Sequence, residues 1–110
     1  MIIAERRLSL KDAFSTKDIK ITLIAPVLEG ASWFCSFSIA WPEGERILKV
    51  GGADSMQALV CALQLLGAEL YASNYHKDGR LFFEENARGY GIPVPPNFRP
   101  DLVGDDAKYL

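Results

Sequence analysis

The sequence predicts an α+β fold: a four-stranded antiparallel meander with one long α-helix across one face and an extended, proline-rich C-terminal tail. Three observations predict it. WFCSFSIAW, residues 33–41, alternates apolar and small polar residues with the period of a strand. QALVCALQLLGAELYA, residues 57–72, reads as a single helix. GYGIPVPPNFRPD, residues 89–101, carries four of the six prolines and can continue neither a helix nor a central strand.

Ile2–Leu10 is expected as the first strand. Lys11–Asp18 is a polar connection, with Phe14 as its one buried residue. In Ile19–Val27, the residues Ile19, Ile21, Leu23, Ala25 and Val27 share a face. In the next strand Trp33, Cys35, Phe37, Ile39 and Trp41 face inward, and Phe34, Ser36, Ser38 and Ala40 face outward. A three-residue loop, Glu29-Gly30-Ala31, sets Leu23 opposite Phe37 and Ile21 opposite Ile39 without mixing the faces. Pro42–Glu45 is a turn by composition, and Arg46–Val50 is the fourth strand, with Trp41 opposite Arg46 and Phe37 opposite Val50. Leu81–Phe83 is either a short fifth strand or a core-filling segment.

Asp54 and Gln57 match a capping box at the start of the helix, which is expected to run to His76 or Lys77 and to stop at Gly79. On a helical wheel Met56, Leu59, Val60, Leu63, Leu66, Gly67 and Leu70 form the stripe expected to face the sheet. Ala58, Cys61, Ala62, Ala68 and Ala72, with Gln57, Gln64 and Glu69, form the other side, where Leu65, Tyr71 and Tyr75 stand out as an interaction surface. Gly67 lowers helix stability by about 1 kcal/mol against Ala. It is explained here by close approach to Trp33 or Trp41. One helix is about 10–12 Å wide, whereas four strands span about 14–19 Å. A remainder of the apolar face therefore needs the tail or a second subunit.

With 110 residues, the chain is read as a single domain, 1–110, to which the tail, 89–110, belongs. A formal charge of −2 and the lack of any Lys/Arg block argue against nucleic acid or anionic membrane as a partner. The first apolar run ends at Glu5-Arg6-Arg7, too soon for a signal peptide, and Gln and Glu interrupt the helix as a membrane span. A cytoplasmic location follows. Cys35 and Cys61 lack zinc or redox spacing and are read as reduced, buried thiols.

The chemistry-bearing residues are read structurally. Gly51–Ser55 is a strand-to-helix turn with a cap; no phosphate-loop pattern is present and Asp54 would repel an anion. His76, the single histidine, suits the negative end of the helix dipole. Glu84-Glu85 and Asp105-Asp106 are adjacent carboxylates, which do not converge in a helix or strand, and are expected as solvated charge. No nucleophile is paired with a base, so an enzyme is not expected, nor a metal or cofactor. The tail is read as a strap sealing the core, anchored by Tyr90, Ile92, Val94 and Phe98.

The segment GGADSMQALVCALQLLGAELYA, residues 51–72, within the order meander, Gly-Gly turn, long helix and Gly-x-Pro-x-Pro tail, resembles small bacterial domains of unknown function. The layout is also similar to that of immunity proteins of bacterial toxin systems. The resemblance implies no catalytic residues. The leading expectation is a non-enzymatic protein-interaction module that associates with itself or with another protein. The alternative is a small-molecule binding domain with a pocket lined by Trp33, Trp41 and Tyr90.

Overall fold

A computed structural model describes residues 1–84 and 89–110. The fold is α+β. Its antiparallel sheet has the strand order β4-β3-β2-β1-β5, formed by β1 (Ile2–Lys11), β2 (Thr16–Glu29), β3 (Ser32–Trp41), β4 (Gly44–Gly52) and β5 (Leu81–Phe82). The helices are α1 (Ser55–Ala72), α2 (Asn74–Lys77) and α3 (Gly104–Tyr109), with a 3-10 turn at Pro96–Asp101. Two compact units are delimited: residues 1–6 with 19–63, and residues 7–18 with 64–110.

In the first unit the meander has the expected inner pairs, Ile21 opposite Ile39 and Leu23 opposite Phe37. The connection differs. The loop is the two-residue Gly30-Ala31, with Glu29 opposite Ser32 and Gly30 at φ +61. A β-bulge between Ile24 and Val27 reconciles this short loop with the inner register. One extra residue is absorbed there, so Ile21 and Leu23 keep the inner face, whereas Val27, expected with them, is turned to the outer face opposite Phe34. Pro26 sits in the bulge, where a missing N–H does not interrupt the ladder. Opposite it, the Cys35 thiol donates to the Ile24 carbonyl at 3.2 Å.

The β3–β4 register is also corrected. Trp41 lies opposite Gly44, Ile39 opposite Arg46 and Phe37 opposite Leu48, two residues from the expected pairing. Pro42 and Glu43 alone make the turn, and Gly44 follows at φ +150, a conformation that side-chain-bearing residues rarely adopt. A shift of two leaves the faces unchanged. Leu48 and Val50 therefore still point inward, while Ile47 and Lys49 point outward.

The cap of α1 forms as a near-capping box. Gln57 N–H donates to Asp54 Oδ1 at 2.7 Å, and the Gln57 side chain accepts from Ala53 N–H at 2.6 Å, one residue earlier than the standard arrangement. The wheel, however, was rotated. Ala58 and Ala62 are wholly buried, whereas Met56 is 74 % exposed and Val60 is exposed. At the end of β4, a Cβ built on Gly52 would lie 2.4 Å from the Ala58 backbone nitrogen. Backbone meets backbone there, and only alanine fits on that side of the helix. Large side chains such as Met56 turn to solvent instead. By length and composition alone, α1 is long and apolar enough to cross a membrane. Ala58, Ala62, Leu66, Ala68 and Leu70 of this helix are buried within the protein.

In the second unit, Leu8, Leu10, Leu66, Leu70 and Leu81 are buried. The fifth strand is present: Ser9 lies opposite Phe82 and Leu10 opposite Leu81. Beyond it Lys11 N–H donates to the Arg80 carbonyl and Arg80 Nε donates back to the Lys11 carbonyl. Phe14, expected inside, is fully exposed at the tip of the β1–β2 turn, which Asp12 N–H and the Ser15 carbonyl close at 2.8 Å. Only four residues form that turn, too few to fold an aromatic ring back onto the core.

Helix α1 ends at Ala72, earlier than expected. Ser73 is extended (φ −69, ψ 147); its hydroxyl donates to the Leu70 carbonyl and accepts from His76 N–H. One serine thus terminates α1 and caps α2. Gly79, at φ +70, closes α2 as expected, its N–H donating to the His76 carbonyl. The strap is anchored by buried Tyr90, Ile92 and Val94, with Phe98 half-buried. It runs extended only to Pro95; the 3-10 turn and α3 follow, so residues 96–109 are not the extended tail expected. Gly67 does allow a close approach, but to the strap: a Cβ there would lie 2.1 Å from the Pro93 carbonyl oxygen.

Candidate functional site: a buried carboxylate latch

The densest polar cluster described lies in the second unit. The last turn of α1 supplies Tyr71, α2 supplies His76, the strap supplies Tyr90 and Gly91, and α3 supplies Asp106. Asp106 is 2 % exposed, which corrects its expected place as solvated charge. A buried carboxylate needs donors. Oδ2 accepts from the Tyr71 phenol and from Tyr90 N–H at 2.7 Å; Oδ1 accepts from Gly91 N–H at 2.7 Å. Gly89 makes room for it. Its φ is +95, and a Cβ there would lie 2.5 Å from Asp106 Cγ. Asp105, one residue away, is exposed. Glu85, the second member of the other carboxylate pair, lies outside the described residues.

Tyr71 is 4 % exposed, so it leaves the interaction surface expected of it. Its ring meets His76 and Tyr90 edge-on, at centroid distances of 4.6 and 5.2 Å. The Tyr90 hydroxyl and His76 Nδ1 are 2.5 Å apart. Burial, and then the hydrogen bond to Asp106, push the Tyr71 phenol well above its ordinary value near 10. Tyr71 therefore keeps its proton and serves as a donor, not as a nucleophile. With each Asp106 oxygen already accepting from these groups, the arrangement is a latch that ties α3 and the strap to the end of α1.

Of the other expected interaction residues, Leu65 and Tyr75 are half-buried, and the Arg80 guanidinium lies 5.6 Å from the centre of the Tyr75 ring. Of the pocket residues, Trp33 is half-buried opposite Gly52, and Trp41 is buried opposite Gly44, both in the first unit. Tyr90 lines a cavity of about 30 Å³ with His76, Leu81, Phe82, Gly89 and Val103. That space holds a water or two. A cleft of about 180 Å³ lies between Phe83, Glu84, Gly91, Asp105, Tyr109 and Leu110. Ligand pockets usually run from about 300 to 1,000 Å³. Among the described residues, no group of three His, Cys, Asp or Glu side chains could hold a metal ion. Cys35 and Cys61 are free thiols, and burial raises the Cys35 pKa.

Sequence reasoning missed Asp106 and His76 as parts of one cluster. The signal was present in Gly89 and Gly91, which flank Tyr90 and leave the backbone free to wrap a carboxylate. Nothing in the sequence distinguished Asp106 from Asp105.

No curated protein and no solved structure matches the chain. A family model does, over residues 4–94, which takes in the meander, α1, the latch residues Tyr71, His76 and Tyr90, and the strap as far as Val94. The chain belongs to the family described as domain of unknown function DUF6968.

Proposed function

We propose that this domain is a non-enzymatic protein-interaction module that works as a homodimer, and that its contact surface takes in the Ile47 border of the outer face of the first unit's sheet. One observation carries the reading: large apolar residues stand exposed on that face. Ile3, Val27 and Ile47 are 45 %, 47 % and 61 % exposed. Between them lie small or half-buried residues, Thr22, Ser36, Ser38 and Phe34, which leave the face flat. Flat, apolar surface of this kind marks an association site. Its ion pairs, Glu5–Lys20 at 3.3 Å and Glu29–Lys49 at 2.5 Å, give it a charged border.

The latch supports the non-enzymatic part of the reading, because its phenol and carboxylate hold each other. A regulatory or immunity-like role is one form such a module takes. Two free thiols fit the cytoplasm as its location. Sedimentation equilibrium of the full chain tests the proposal. A dimer is expected, weakened by Ile47→Glu. A chain that stays monomeric across the accessible concentration range overturns it.

A further inference from the structure

The edge strand of the same unit carries a pattern that identifies the partner and the register of contact. Strand β4 ends the sheet and pairs with β3 without a break from Trp33 opposite Gly52 to Trp41 opposite Gly44. Its other side has no strand beside it among the described residues. Sheet edges are normally blunted by proline, a bulge, a short strand or charged side chains. From Gly44 to Gly52 there is neither proline nor bulge.

The outward-facing residues of β4 read Glu45, Ile47, Lys49. That order is self-complementary. An antiparallel strand from a second copy, related by a two-fold axis at Ile47, sets Glu45 against the partner's Lys49 and Lys49 against the partner's Glu45. Ile47, 61 % exposed, then meets the partner's Ile47. Opposite charges and apolar residues directly across an antiparallel pair are the favourable combinations. Moving the axis to Arg46 sets that arginine against the partner's Arg46, and moving it to Leu48 leaves Glu45 against glycine. The register about Ile47 is therefore the one that pairs the outward-facing residues favourably. Lys49 already bonds Glu29, but an ammonium has three donors and can serve a second carboxylate.

We infer that β4 is the seam of the homodimer, joining two copies edge to edge about Ile47 into one continuous sheet. The inference rests on the homodimer reading above and adds its partner strand and register. Charge reversal tests it by sedimentation equilibrium of the full chain. Glu45→Lys sets like charges across both ends of the seam and is expected to weaken the dimer about tenfold or more. Lys49→Glu is expected to do the same. The double variant Glu45→Lys/Lys49→Glu restores opposite charges and is expected to recover the dimer. A wild-type dimer indifferent to Glu45→Lys, or single variants that the double variant does not rescue, overturns the seam and leaves the homodimer standing. A wild-type chain that is monomeric overturns both.

Discussion

The Tyr71 phenol donates to Oδ2 of Asp106, a residue 35 positions along the chain, and both groups are buried. Removing the carboxylate leaves the phenol and the Tyr90 and Gly91 N–H groups without their acceptor. Stranded buried donors cost about 1–3 kcal/mol each. Asp106→Ala is therefore expected to lower stability by about 3 kcal/mol or more in urea denaturation, while Asp105→Ala changes it by less than about 0.5 kcal/mol. Equal effects at the two positions would dismiss the latch.

The same hydrogen bond sets a dependence on alkaline pH. Tyr71 has its folded pKa raised above the unfolded value near 10. The stabilisation is fully present below pH 10 and is lost as pH rises toward the folded pKa, because the unfolded chain gives up the proton first. Across that window, this one group steepens the fall in stability by up to about 1.4 kcal/mol per pH unit. Tyr71→Phe removes the contribution. Melting temperatures recorded from pH 8 to 11 should fall less steeply for the variant, and parallel curves would contradict the assignment.

Gly67 holds the strap down by lacking a side chain. Gly67→Ala gains about 1 kcal/mol of helix propensity. The new methyl carbon, however, would stand 2.1 Å from the Pro93 carbonyl oxygen, and backbone cannot yield as a side-chain tip does. Overpacking of this kind costs about 1–3 kcal/mol. A net loss of stability is expected, with faster hydrogen exchange at the Tyr90 and Gly91 amides as the strap lifts. Stabilisation by the propensity term would show that the strap does not bear on the helix.

How far the sequence was legible depends on what each residue's period could decide. Alternation in β3 fixed which residues face the core, and Ile21–Ile39 and Leu23–Phe37 are paired as that alternation requires. It could not decide loop length: the two-residue shift at Pro42 leaves every side chain on its face, and the bulge at Pro26, which turns Val27 outward, has no mark in the alternation. Asp106 was illegible for another reason. Its burial depends on donors that lie 15, 16 and 35 positions away, and no local pattern encodes such a meeting.

Helix α1 shows the clearest failure of a local rule and provides its own test. A wheel that ranks residues by hydrophobicity puts Met56, Leu59, Val60, Leu63, Leu66 and Leu70 inward; Leu66 and Leu70 are buried, but Met56 and Val60 are exposed. Gly52, which brings the β4 backbone against Ala58, leaves no room there for anything larger than alanine. Met56→Ser, at a position 74 % exposed, is therefore expected to change stability by less than about 0.5 kcal/mol. Ala62→Leu, which the wheel would class as a harmless gain in apolar surface, is expected to destabilise by about 1–3 kcal/mol because that site has no exposed area. Thermal or urea unfolding of the two variants decides between the orientations. A costly Met56→Ser with a tolerated Ala62→Leu would turn the helix back to the face its leucines alone favour.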